Sequence, residues 1–211
     1  TTLFRSAGST NPLTYSPRHP VIAISGIPGA GKSRASAALA SRLGAVHLPF
    51  DEFETLTQLD PATVREWLAA GAPMAAMYDP ALDHVLADLS RRGPVVFETP
   101  MGRMAPAHDV LITLSIWLDV DRDVGLCRKL QSTLGADMWT STAEMAGWMG
   151  GFLDSYQALV RPCLDLQAAG VRARADQVVN GMQSPAAVDS DVARIVQTVI
   201  AAKGQSAETR P

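Results

Sequence analysis

The sequence predicts a three-layer α/β/α sandwich around a mostly parallel five-stranded sheet, with a small helical lid. Three observations predict it. Short apolar runs alternate with longer helical stretches from residue 21 onward. A glycine-rich turn joins the first run to the first helix. And 47% of the 211 residues are hydrophobic, enough to bury the core of one domain. Strands alternating with helices imply parallel pairing with both sheet faces covered, and ligands then sit at the carboxyl ends of the strands.

Each element has its own cause. "VIAIS" (21–25) is a buried strand, Lys32–Leu43 an Ala-rich helix and "AVHLP" (45–49) a second strand. Asp60 before Pro61 is an N-cap acid with proline at the first helical position, which starts "ATVREWLAA". Pro80 opens "ALDHVLADLSRR", and Gly93-Pro94 stops it. "VVFE" (95–98) and "LSIWLDV" (114–120) are the next strands, followed by a helix over 121–131 and a long one over 142–169. A strand "DQVVN" and a terminal helix over 186–202 complete the pattern. Residues 1–20, rich in Ser, Thr and Pro, read as a disordered or non-native tail, and 204–211 as a second tail. Residues 21–203 then form one domain, with the lid near 128–145.

A formal net charge of −3 offers no electrostatic case for nucleic acid or an anionic membrane surface as partner. No apolar run approaches the ~20 residues of a membrane span, and no signal-peptide pattern opens the chain, so a cytoplasmic setting is expected. Cys127 and Cys163 lack metal-ligand spacing and read as buried thiols. Histidines 19, 47, 84 and 108 form no cluster; His47 reads as a core or sheet-edge residue. No feature of the sequence reports an oligomeric state.

The loop after the first strand is "GIPGAGKS", an uninterrupted G-x-x-x-x-G-K-S between strand and helix. Its glycines let backbone N–H groups turn around a phosphate, and the following helix aims its positive end at the same anion. Lys32 reaches the β- and γ-phosphates in such loops, and the hydroxyl at Ser33 ligates Mg²⁺. Nucleotide contacts are expected from Gly26, Ile27, Pro28, Gly29, Ala30, Gly31, Lys32, Ser33 and Arg34 of this P-loop NTPase fold. The chain holds only three lysines, and one stands here. The N-K-x-D, D-x-x-G and L-S-G-G-Q sequences of GTP-reading and transporter proteins are absent. "VHLPFDE" superficially matches the metal site of motor ATPases, but it is the very next strand, earlier than such proteins place it.

Four ordered segments resemble the uridine kinase and phosphoribulokinase group of P-loop kinases. They are "GIPGAGKS", "DEFETL", "DPALDHVLADLSRRGPVVFETP", and "YQALVRP" followed by "RADQVV". The resemblance spans roughly residues 21–179. It implies ATP- and Mg²⁺-dependent phosphorylation of a hydroxyl on a small metabolite, with Asp51 at the position of the proposed base. By the same resemblance Asp79, Tyr156 and Arg161 contact the acceptor; for Tyr156 and Arg161 the other reading is core packing or a helix salt bridge. The chain departs from the group at Glu54, where uridine kinases carry Tyr, and in its lid, where only Arg128 and Lys129 remain of an arginine-rich run. Glu54 makes a pyrimidine acceptor doubtful, and is itself either an acceptor contact or a solvated loop acid.

The other candidates follow from position. Asp51, after the second strand, is either the group that accepts the proton of an attacking hydroxyl or a loop acid capping a turn. Glu98 ends a strand and either holds Mg²⁺ or contacts the acceptor; the alternative is a buried acid paired with Arg103. Arg103 itself suits an anionic substrate, or is an ordinary surface arginine. Arg128 is expected over the phosphates as a catalytic cation, the alternative being a basic residue on a solvated helical face. Asp121 reads as an N-cap, and the stripe of Met145, Trp148, Met149 and Phe152 as lid or core packing. No metal beyond Mg²⁺ is expected. Two other readings remain open: an ATP-binding regulatory protein with slow hydrolysis, and a kinase of a larger acceptor such as an antibiotic, a protein or a nucleotide conjugate.

Overall fold

The computed structural model describes residues 19–55, 59–73, 78–136 and 139–208. Nearly all of the expected N-terminal tail and part of the C-terminal one lie outside them. Five strands, β1 (Val21–Gly26), β2 (Val46–Pro49), β3 (Val95–Glu98), β4 (Leu114–Asp119) and β5 (Gln177–Asn180), form one sheet in the order β2-β3-β1-β4-β5. Every pairing is parallel. The helices are α1 (Lys32–Leu43), α2 (Pro61–Ala69), α3 (Ala81–Arg92), α4 (Pro106–Asp109), α5 (Arg122–Leu134), α6 (Thr142–Ser155), α7 (Arg161–Gly170) and α8 (Pro185–Glu208).

Strand alternation builds the three layers. Ile22 and Ile24 face one side of the sheet, where they pack with Leu39 of α1 and with Val188, Val192 and Val196 of α8. Val21 and Ala23 face the other, with Leu82 and Leu86 of α3 and with Leu111 after α4. All six residues of β1 are buried because it is the central strand, covered on both faces. Gly26, Pro49, Glu98, Asp119 and Asn180 therefore end their strands along one edge of the sheet, where the α/β architecture gathers its functional loops.

The capping logic holds at α2, where Asp60 accepts from the Ala62 and Thr63 N–H groups at 2.9 and 3.1 Å. Asp121 occupies the N-cap of α5 but makes no side-chain cap bond, so only half of that expectation stands. The long helix expected over 142–169 is interrupted by a π-helical turn, Tyr156–Val160, between α6 and α7. Cys127 is exposed and Cys163 half-buried, which corrects the expectation of two buried thiols: α5 turns Cys127 away from the face that carries its contacts.

Beneath α3 lies a polar cluster built on a buried histidine and a half-buried carboxylate. His108 is fully buried, with Nε2 2.9 Å from Asp83 Oδ1, and the Tyr78 hydroxyl donates to the same oxygen at 3.1 Å. Burial, with the charge and hydrogen bond of Asp83, pushes the Tyr78 hydroxyl well above its ordinary 10.0. The unfolded chain ionises this tyrosine near its ordinary value while the folded chain keeps it neutral. Its contribution is therefore complete below pH 10 and is lost as pH rises toward the folded value. Urea unfolding of the wild type is expected to weaken above pH 10, and Tyr78→Phe to flatten that alkaline slope.

Candidate active site

The phosphate loop is held in shape by what it touches. Gly29 takes a left-handed φ of +79°, and a Cβ there would sit 2.0 Å from the Gly125 carbonyl oxygen. A Cβ on Gly125 would in turn meet Ile27 Cδ1 at 2.8 Å and the Pro28 oxygen at 2.9 Å. Two glycines thus let the loop lie directly on the backbone of α5. Gly31 caps α1 without a side-chain bond, so the first-turn N–H groups of α1 and its positive end face the loop.

Behind the loop, three polar side chains are locked together. The Ser33 hydroxyl donates to Glu98 Oε1 at 2.6 Å, and His47 Nε2 lies 3.1 Å from Glu98 Oε2. Glu98 is only 6% exposed. The β-register explains the grouping: Glu98 pairs with Ile24 on one side and Pro49 on the other, so the ends of β1, β2 and β3 converge. A hydroxyl and a carboxylate at this distance, beside a phosphate loop, fit the part of an oxygen shell that Mg²⁺ takes from protein. Glu98 is thus held by Ser33 and His47, not by Arg103 as the alternative had it. His47, on the edge strand β2, serves as its partner. The Lys32 ammonium donates to the Ile27 carbonyl at 3.2 Å. Burial pushes it below its ordinary 10.5, Glu98 and Asp51 pull it back up, and Lys129 adds a further push down.

Asp51 is aimed by its neighbour. Pro49 ends β2, and Phe50, 1% exposed, plugs the core edge-on to Tyr78 at 6.0 Å. The short 3₁₀ turn Phe50–Glu52 then turns Asp51 outward. It lines a cavity of about 630 Å³ together with the phosphate loop, Glu98 and one face of α5. That face is Arg128, Lys129 and Ser132, following Gly125 at helical spacing. Arg128 also donates from its guanidinium to the Gly181 carbonyl at 3.0 Å, which ties its head group to the turn after β5. Arg34 lines the same cavity and bonds Asp189 of α8. Asp51, Glu98, Lys32, Ser33, Arg34 and Arg128 are therefore brought to one place.

No protein-family model matches the chain, and no curated protein matches it. Solved structures do match its fold. The shikimate kinase from Acinetobacter baumannii in complex with shikimate aligns with a TM-score of 0.50 at 17% identity, over 89% of this chain and 96% of that one. A shikimate kinase from Aquifex aeolicus gives 0.48 at 16% identity, over 84% and 96%. A gluconokinase from Sinorhizobium meliloti gives 0.47 at 18%, over 90% and 98%. The chain has the fold of the P-loop kinases. At these identities the likeness is one of architecture.

Other expected residues lie elsewhere. Asp79 Oδ1 accepts from the Ala81 N–H at 2.8 Å, so this carboxylate caps α3 instead of lining the cavity. Tyr156 packs half-buried against the core beside Phe152, with ring centroids 6.2 Å apart, and Arg161 is exposed at the start of α7. Glu54 bridges to Tyr78 and lines a second cavity that adjoins the first. Arg103 is neither a substrate fork nor a surface residue. Its guanidinium bonds Asp109 at 2.8 Å, Asp176 at 2.7 Å and the Ile112 carbonyl at 3.1 Å, and Asp176 also accepts from the Ser115 N–H. Arg103→Ala is expected to cost about 1–3 kcal/mol of stability by leaving these acceptors unpaired. ATP affinity, measured by calorimetry, should stay within about twofold.

Sequence reading missed Gly125, Ser132 and Pro100. The first two were available as helical neighbours of Arg128; Pro100, which lines the phosphate cavity from the loop after β3, carries no such signal. Among the described residues no group of three or more His, Cys, Asp or Glu gathers to hold a metal, and no helix is long and apolar enough to cross a membrane.

Proposed function

We propose that this protein is an ATP- and Mg²⁺-dependent phosphotransferase that moves the γ-phosphate to a hydroxyl of a small metabolite. One observation carries the reading: a complete phosphate loop with Lys32 and a bonded Ser33–Glu98 pair shares one cavity with an outward-turned carboxylate, Asp51. A protein that only bound ATP has no need of a free-facing carboxylate in that cavity, and the acceptor dependence of turnover separates transfer to an alcohol from transfer to water.

In this reading the loop N–H groups and Lys32 hold the phosphates of ATP, and Arg128 and Lys129 balance charge on the oxygens of the transferred group. Ser33 and Glu98 would hold Mg²⁺, which would supply neutralisation of phosphate charge there. Asp51 orients the acceptor hydroxyl and takes its proton as the new O–P bond forms and the bond to the ADP oxygen breaks. The four ordered segments quoted above support placing the chain with the uridine kinase and phosphoribulokinase group. The net charge of −3 supports a small-molecule acceptor over nucleic acid, and two free thiols agree with a cytoplasmic setting.

The test is ADP release with Mg-ATP across nucleosides, sugars, sugar phosphates and hydroxy acids, with wild type beside Asp51→Asn. Acceptor-dependent turnover that collapses in the variant is the expected result. Equal acceptor-independent hydrolysis by both proteins would favour the regulatory reading instead.

A further inference from the structure

A second cavity of about 450 Å³ adjoins the phosphate cavity and shares Pro28, Asp51 and Pro100 with it. One wall is the π-helical turn that interrupts the expected long helix: Leu159 and Val160 line it, with Leu164 beyond and Ser155 before. Phe50 and Val64 line it as well. A π-helical insertion shifts side chains by one position relative to a regular helix, and such turns recur at functional sites. Here the turn brings apolar side chains to the place where an acceptor must lie if its hydroxyl is to reach Asp51.

The charge lining this cavity is one-sided. Asp51 and Glu54 line it, and among the described residues no Arg, Lys or His does. Residues 56–58 and 74–77, which follow Glu54 and precede Tyr78 in the chain, contain no basic residue either. Arg103 is bound to Asp109 and Asp176, Arg161 is exposed, and Arg128 and Lys129 line the phosphate side. A carboxylate or phosphate on the acceptor would lose its water in an apolar cavity, with carboxylates nearby and no cation among the described lining residues to pair with. A protonated amine in the same place would meet opposite charge.

We infer that the acceptor is an alcohol on a largely apolar body that bears no negative charge, with an amino alcohol favoured over the matching hydroxy acid. The inference rests on the phosphotransferase reading and names the substrate class of that site.

Three probes share a phenyl body and a secondary hydroxyl and differ only in charge: 1-amino-3-phenylpropan-2-ol, 3-phenylpropane-1,2-diol and 3-phenyllactate. Calorimetric titration of each into the full chain with Mg²⁺ and a non-hydrolysable ATP analogue gives binding without turnover. The amine should bind at least about tenfold more tightly than the acid, with the diol between them. Equal or tighter binding of the acid, or binding by none of the three, overturns the inference. Leu59 lines the cavity yet is 41% exposed, so Leu59→Arg adds a cation with little cost to packing. It should narrow or reverse the preference; an unchanged ratio counts against the inference. ADP release on the same mixtures separates the two readings. Acid-stimulated release that Asp51→Asn abolishes overturns this substrate class and leaves phosphotransfer standing. Amine binding without any acceptor-dependent release overturns both.

Discussion

Gly29→Ala is expected to weaken ATP binding by roughly two orders of magnitude, about 3 kcal/mol. Two costs act together. The left-handed φ of +79° disfavours any residue with a Cβ by about 1–2 kcal/mol. The new methyl would also lie 2.0 Å from a backbone oxygen of α5, which cannot rotate aside as a side-chain tip would. The loop must lift, and its N–H groups lose their common aim. Gly125→Ala attacks the same contact from the helix side, where alanine is otherwise the better helix former. A melting temperature that holds while ATP affinity falls would mark the contact as functional. Because both variants enlarge one contact, the double variant should cost less than the sum of the singles. Calorimetric titration of ATP into all four proteins checks this.

Asp51→Asn is expected to lower kcat by about 10²–10⁴-fold while leaving the Kd for ATP within about threefold. The amide keeps the shape of the carboxylate and the anchoring by Phe50 but cannot take a proton. The split between kcat and Kd is the informative part. A structural loop acid would change neither, and a residue that only holds the nucleotide would change Kd first. Pre-steady-state measurement of product formation separates chemistry from product release.

Much of the fold was legible because its signals are local. The strand runs, the Asp60-Pro61 start and the Gly93-Pro94 stop each lie within a few residues of what they determine. The phosphate loop was legible for the same reason, being eight contiguous residues whose spacing has one physical use. What escaped depends on partners distant in the chain. Arg103 reads as a substrate fork until the fold brings Asp176 to it from 73 residues away. The alternative reading of Glu98 paired it with Arg103, five positions on, but sheet register hands it to Ser33 and His47. The π-helical turn, Tyr156–Val160, contains no proline or glycine to mark it, so the sequence over 142–169 reads as one helix. The apolar stripe expected on it reappears as an aromatic row, with Trp139 against Trp148, Trp148 stacked on Phe152 at 5.0 Å, and Phe152 against Tyr156. Asp79 was misread for a subtler reason: its "DP" context is as good a helix start as a ligand-binding motif, and helix capping is the use the fold makes of it.

The most direct measurement is where the γ-phosphate goes. With γ-labelled ATP, Mg²⁺ and the acceptor panel, this account predicts label in an organic phosphate ester, acceptor by acceptor, and its disappearance in Asp51→Asn. Label found solely as inorganic phosphate, at the same rate in both proteins and with every acceptor, would contradict it.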